Sequence, residues 1–105
     1  MSSSIDGVLE RKVFPHLLSA YRPTLNVSGS EDSKIRYTLT FNDDKFLEID
    51  LISDGSKLES HFVKTDIVHI DTLSMVLSGL SEGLKSNESE LILYFRVRLK
   101  EAGSN

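Results

Sequence analysis

A chain of 105 residues, 39% hydrophobic and 27% charged, is long enough for one domain around one core, and its composition matches neither a disordered chain nor a fibrous repeat. The absence of cysteine excludes disulfides, thiolate nucleophiles, Cys-based zinc sites and iron–sulfur clusters. A net charge of −4 opposes general attraction to nucleic-acid backbones or anionic lipid, so either partner would need a local basic patch.

The opening "MSSSIDGVLERK" lacks a basic stretch followed by an unbroken apolar run, and no window reaches the ~20 apolar residues of a membrane span. This predicts a cytoplasmic or nuclear protein without membrane insertion. Ser3 followed by Asp6 reads as a capping box, and Ile5, Leu9, Val13 and Leu17 recur at helical spacing. Pro15 falls inside that pattern, where a missing donor and a steric clash predict a kink or a restart. Arg22-Pro23 then ends the helical stretch.

"TLNVS" (24–28) reads as a short first strand, followed by a loop-like "SGSEDSK" (28–34). "KIRYTLTF" (34–41) alternates Ile35, Tyr37, Leu39 and Phe41 against Arg36, Thr38 and Thr40, and "FLEIDLI" (46–52) alternates Leu47, Ile49 and Leu51 against Glu48 and Asp50. Register decides the turn between them. A two-residue turn at Asp43-Asp44 would set Glu48 opposite Leu39, in the core. A three-residue loop of Asn42, Asp43 and Asp44 instead pairs Leu39 with Leu47, Tyr37 with Ile49 and Arg36 with Asp50. "SDGSKLES" (53–60) is the next loop-like stretch.

"HFVKTDIVHID" (61–71) holds two histidines and two aspartates. On a strand His61 and His69 stand about 27 Å apart, too far to share a metal. His69 and Asp71 supply at most two ligands, and His16 is the remaining imidazole, so no metal or other cofactor is expected. The segment reads as a strand with a turn or bulge near Lys64 and Asp66, leading into a helix capped by Asp71 or Thr72. That helix, about 72–85, carries Leu73, Val76, Leu77, Leu80 and Leu84 on one stripe. Gly79 and Gly83 flank the stripe, and fraying near the C-terminus accounts for them more simply than close approach of another backbone.

The last segment, "LILYFRVRL", alternates Leu91, Leu93, Phe95, Val97 and Leu99 with Ile92, Tyr94, Arg96 and Arg98, and reads as a long C-terminal strand. The predicted fold class is therefore α+β: a kinked N-terminal helix, an antiparallel sheet of three to five strands, a second amphipathic helix and a closing strand, with helices over one sheet face. One domain spans 1–105.

No nucleophile elbow, phosphate loop, dinucleotide fingerprint or metalloprotease helix occurs, and the chain is read as not an enzyme. The motifs "NVS" at Asn26 and "NES" at Asn87 are too short to argue glycosylation without a secretory route. On the predicted strands, Phe46, Ile52, Ile92 and Tyr94 would form an apolar strip on the outward sheet face, bordered by Arg96 and Arg98. Such strips mark partner-binding surfaces. The leading functional expectation is a non-catalytic protein–protein interaction module, a complex subunit or adaptor joining a homo- or hetero-oligomer through its sheet face or C-terminal strand. On that register Tyr94→Ala or Ile92→Asp would weaken association and leave the fold intact. A ligand or lipid-type pocket lined by Phe14, Tyr37, Phe41 and Phe95 is the alternative. Nucleic-acid binding through Arg96, Arg98 and Lys100 is the third and the least expected.

Overall fold

The computed structural model describes residues 5–103. Ser3, half of the expected capping box, lies outside the described residues. The chain opens with helix α1 (Ile5–Val8), which widens into a π-helical stretch at Leu9–Val13 and tightens into a 3-10 turn at Phe14–His16. The change of pitch falls where Pro15 removes a backbone donor, as the sequence predicts. Leu17 is already extended, yet Ile5, Leu9, Val13 and Leu17 all reach the core.

Strands β1 (Thr24–Glu31), β2 (Lys34–Thr40), β3 (Phe46–Asp54) and β4 (Lys57–Thr65) form an antiparallel meander in the order β1-β2-β3-β4. The β2–β3 loop has the predicted length. Phe41 N–H donates to the Lys45 carbonyl at 2.8 Å, Asp44 N–H returns to the Phe41 carbonyl at 3.0 Å, and Asp44 takes φ 66°. A left-handed last residue closes such a loop without splaying the strands. Leu39 accordingly faces Leu47, Tyr37 faces Ile49, and Arg36 faces Asp50.

The loop-like stretches are mostly strand. β1 runs on to Glu31, leaving Asp32-Ser33 as the turn, and β3 and β4 meet at Gly55-Ser56, where Gly55 adopts φ 69°. A positive φ at the first of two turn residues suits the twist of a hairpin and is easiest for glycine. β4 carries a bulge: Glu48 faces Lys64 and Ile49 faces Phe62, so Val63 is the extra residue. The bulge lies just ahead of the break at Asp66, close to where the sequence places one.

Two helices follow, α2 (Ile70–Ser86) and α3 (Glu88–Gly103). The N-cap of α2 is His69, with no side-chain cap, and Asp71 sits in the first turn; the expected cap at Asp71 or Thr72 is corrected by two or three residues. The larger correction is α3. Residues 91–99 are helical, and the expected long C-terminal strand does not form. Leu91, Ile92 and Phe95 are buried and Leu99 is partly so, a spacing of one, three and four residues that only a helix can turn to one side. Leu93 and Val97, four apart, point outward at 66% and 47% exposure. Acidic Glu88 and Glu90 in the first turn and Lys100 in the last complement the helix dipole.

The outcome is an α+β fold with one layer of helical segments against one face of the sheet. Ile35, Tyr37 and Leu39 of β2 and Leu47, Ile49 and Leu51 of β3 share a core with Val8, Val13, Val76, Leu80, Leu84 and Phe95. Between the N-terminal segment and α2 the backbones nearly touch. A Cβ on Gly79 would lie 2.9 Å from the His16 carbonyl oxygen and 2.6 Å from Leu17 Cδ2. A Cβ on Gly83 would lie 2.7 Å from the Val13 carbonyl oxygen. Close approach therefore explains both glycines, and the fraying explanation is set aside.

Candidate functional site

The residues expected to form an outward strip are not together. Phe46 and Ile52 do share the open face of the sheet, half-buried at opposite ends of β3. Ile92 is 6% exposed and belongs to the core. Tyr94 is half-buried against that core on α3, away from the open face of β3. Arg96 donates to the Gly55 carbonyl, and Arg98 Nη2 pairs with Asp6 Oδ2 at 3.3 Å. The basic stripe of Arg96, Arg98 and Lys100 is thus divided around a helix, with Arg98 engaged by a carboxylate.

Asp6 also accepts a hydrogen bond from the Tyr37 hydroxyl at 2.9 Å, so one carboxylate joins α1, β2 and α3. The Tyr37 phenol is raised well above its ordinary value of 10.0, first by burial, then by the Asp6 charge and hydrogen bond, with Arg98 pulling the other way. A raised folded-state value means the fold holds the neutral phenol. Its stabilising effect is complete below about pH 10 and is lost as pH rises beyond it, because the unfolded phenol ionises first. Tyr37→Phe is expected to cost about 1 kcal/mol at neutral pH and to flatten the alkaline fall in stability. Urea titrations from pH 8 to 11 read both; an unchanged alkaline slope would count against the assignment.

The open face is polar at its centre. Arg36 binds Asp50 through two hydrogen bonds of 2.7 and 3.0 Å, and this pairing holds the Asp50 carboxyl below its ordinary range against the opposing effect of burial. His61 Nε2 meets Glu59 Oε1 at 3.0 Å, and Thr38 Oγ1 meets Ser28 Oγ at 3.3 Å. The three histidines stand apart: His61 on β4, His69 at the start of α2, and His16 beside Pro15. No group of three or more His, Cys, Asp or Glu residues forms a ligand set among the described residues.

Four aromatic residues were the alternative pocket lining. Phe14, Tyr37 and Phe95 are packed in the core, at 5%, 0% and 0% exposure. Phe41 does reach a surface notch. This notch, about 150 Å³, lies where the β2–β3 loop meets the β4–α2 connection. Tyr21, Phe41, Ile67 and Val76 make its apolar wall, and Asp43, Lys45 and His69 reach its edge.

The connection beside the notch is held at several points. Asp66 Oδ1 accepts the Phe46 N–H at 2.7 Å, Thr65 Oγ1 donates to the Phe46 carbonyl, and Thr65 Oγ1 accepts the Ile67 N–H at 3.0 Å. These bonds satisfy main-chain groups at the end of the sheet and set the direction in which 67–70 leaves it. Val68 and Ile70 then emerge 80% and 73% exposed. They are the most exposed large apolar side chains described, in the segment that the sequence pattern reads as leading from the strand into the helix. The readable signal was positional: a helix starting at Ile70 begins past the sheet's end, where its first apolar residue has nothing to cover.

A second, larger cleft of about 570 Å³ lies at the other end of the sheet, between the two hairpin turns and the last half of α3. Ser30, Ser33 and Ser53 line it with Arg96, Leu99 and Lys100, and Glu31 and Asp32 balance the cations. No helix among the described residues is long and apolar enough to cross a membrane. No family model, curated protein or solved structure matches this chain.

Proposed function

We propose that the chain is a non-catalytic protein–protein interaction module, a small subunit or adaptor of a larger intracellular complex. The observation that carries this reading is the exposure of Val68 and Ile70, 80% and 73%, on a hydrogen-bonded connection beside an apolar notch. Aliphatic side chains held out by a fixed backbone lose little entropy on binding, and exposed apolar surface of this kind is characteristic of interaction sites. The open sheet face with Phe46 and Ile52, and, on the helical side, the outward row of Leu93 and Val97 on α3, offer separate further area for a larger assembly.

The test is affinity purification of the full chain at native abundance, with Val68→Asp/Ile70→Asp alongside the wild type. A partner recovered in stoichiometric amount with the wild type should be lost from the variant, while the melting temperature stays the same. Retention of that partner by the variant would reject this surface, and a wild type that recovers none would reject the module.

The cleft at the hairpin turns favours a second reading, a small-ligand site with mixed charge. There a metabolite would raise the melting temperature by mass action and lose its effect on Lys100→Ala.

A further inference from the structure

We infer that the notch between the β2–β3 loop and the start of α2 receives a basic segment of a partner protein, seating one aliphatic side chain and placing Lys or Arg against the carboxylates around it. This inference rests on the interaction-module reading and adds the chemistry of the partner.

The apolar part comes first. A notch of about 150 Å³ walled by Tyr21, Phe41, Ile67 and Val76 is too small for a helix or a cofactor and suits a single branched side chain. Val68, which also lines the notch, and Ile70, two residues further along the chain, are 80% and 73% exposed and add apolar surface for the seated residue to meet.

Charge then selects the occupant. Asp43 lines the notch, and three more carboxylates are chain neighbours of lining residues: Asp44 at the loop's left-handed position, Asp66 where it caps the Phe46 N–H, and Asp71 in the first turn of α2, all three exposed. Against these four carboxylates stand Lys45 on the lining, Arg22 next to Tyr21, and His69, which carries charge only when protonated. The hydrogen bonds that Asp43 and Asp66 make go to main-chain N–H groups, which carry no neutralising charge. Asp71 already complements the amide end of α2, so that end does not call for an incoming anion. An acidic or C-terminal carboxylate partner would meet repulsion here, and a basic one would be steered in.

The experiment pans a library of short peptides, each with a fixed central Leu, Ile or Val and fully varied flanks, on the immobilised full chain. Affinities of the recovered peptides are then measured for the wild type, Val68→Asp/Ile70→Asp and Asp43→Asn/Asp71→Asn. Asparagine keeps the acceptor that Asp43 offers to Lys45 N–H. Recovered sequences should be rich in Lys and Arg. They should bind about tenfold or more weakly to Val68→Asp/Ile70→Asp, and should weaken several-fold both on Asp43→Asn/Asp71→Asn and on raising salt. Acidic or uncharged sequences, salt-insensitive binding, or no peptide dependent on Val68 and Ile70 would overturn the inference. If the natural partner is still lost from Val68→Asp/Ile70→Asp in the purification above, the module reading survives that outcome and only its partner chemistry falls.

Discussion

Gly83→Ala is expected to destabilise the protein by about 1–3 kcal/mol, although glycine to alanine inside an exposed helix normally gains about 1 kcal/mol. The reversal of sign comes from one contact region. A Cβ at position 83 would lie 2.7 Å from both the carbonyl oxygen and Cγ1 of Val13, and 2.9 Å from Val13 Cα. Two of those atoms are backbone, so rotating a side chain cannot relieve the clash, and α2 must move away from the N-terminal segment. That movement would also loosen Asn87, whose side-chain amide bonds the Gly83 carbonyl at 2.9 Å and the Lys12 carbonyl at 3.4 Å. For a chain of this length each kcal/mol lowers the melting temperature by about 4–8 °C. Urea unfolding of Gly83→Ala beside Ser81→Ala, an exposed position on the same helix, isolates the effect from helix propensity. A Gly83→Ala protein as stable as the wild type would mean the helices are not in the close contact described.

Ile92→Asp and Leu93→Asp should differ by several kcal/mol although the residues are neighbours. Ile92 is 6% exposed, so aspartate there loses about 2–5 kcal/mol of packing and adds the desolvation of an unpaired carboxylate. Domains of this size hold only about 5–15 kcal/mol in total, and Ile92→Asp is expected to be largely unfolded. Leu93, 66% exposed, should tolerate aspartate within about 1 kcal/mol. Circular dichroism and denaturant titration of the two variants read the result directly. The alternating strand pattern predicts the opposite, with Ile92 outward and Leu93 in the core. Equal stability of the two variants would fit neither arrangement.

The central hairpin was legible because two constraints agreed. Ile35, Tyr37, Leu39 and Leu47, Ile49, Leu51 alternate without interruption, and only a three-residue loop keeps Glu48 out of the core. The kink at Pro15 was legible for a similar reason, since a missing backbone donor acts wherever the residue lies. The last segment was not legible from periodicity. Leu91, Phe95 and Leu99 belong to the apolar set of either a strand or a helix, and the choice turned on whether Leu93 and Val97 or Ile92 joined them. Its content of Glu, Leu, Arg, Lys and Ala, with acids early and Lys100 late, was the stronger signal and pointed to a helix.

The candidate site was less legible still. Phe46 and Ile52 were placed correctly on the outward face of the sheet, because face follows from alternation. Tyr94, Arg96 and Arg98 were assigned to that face only through the strand register that α3 replaces. Val68 and Ile70 stand out only once the end of the sheet is known.

By itself the sequence determined the α+β class, the pairing of β2 with β3, the interruption at Pro15 and the amphipathic stripe of α2. These follow from local spacing and backbone chemistry, which act between residues a few positions apart. Tertiary structure alone decided which face of 91–99 would be buried and that Gly79 and Gly83 would admit the N-terminal backbone. It also decided that Val68 and Ile70 would stand in solvent at a largely apolar notch. Each of those outcomes depends on which distant surface lies opposite a residue, and apolar burial is indifferent to sequence order.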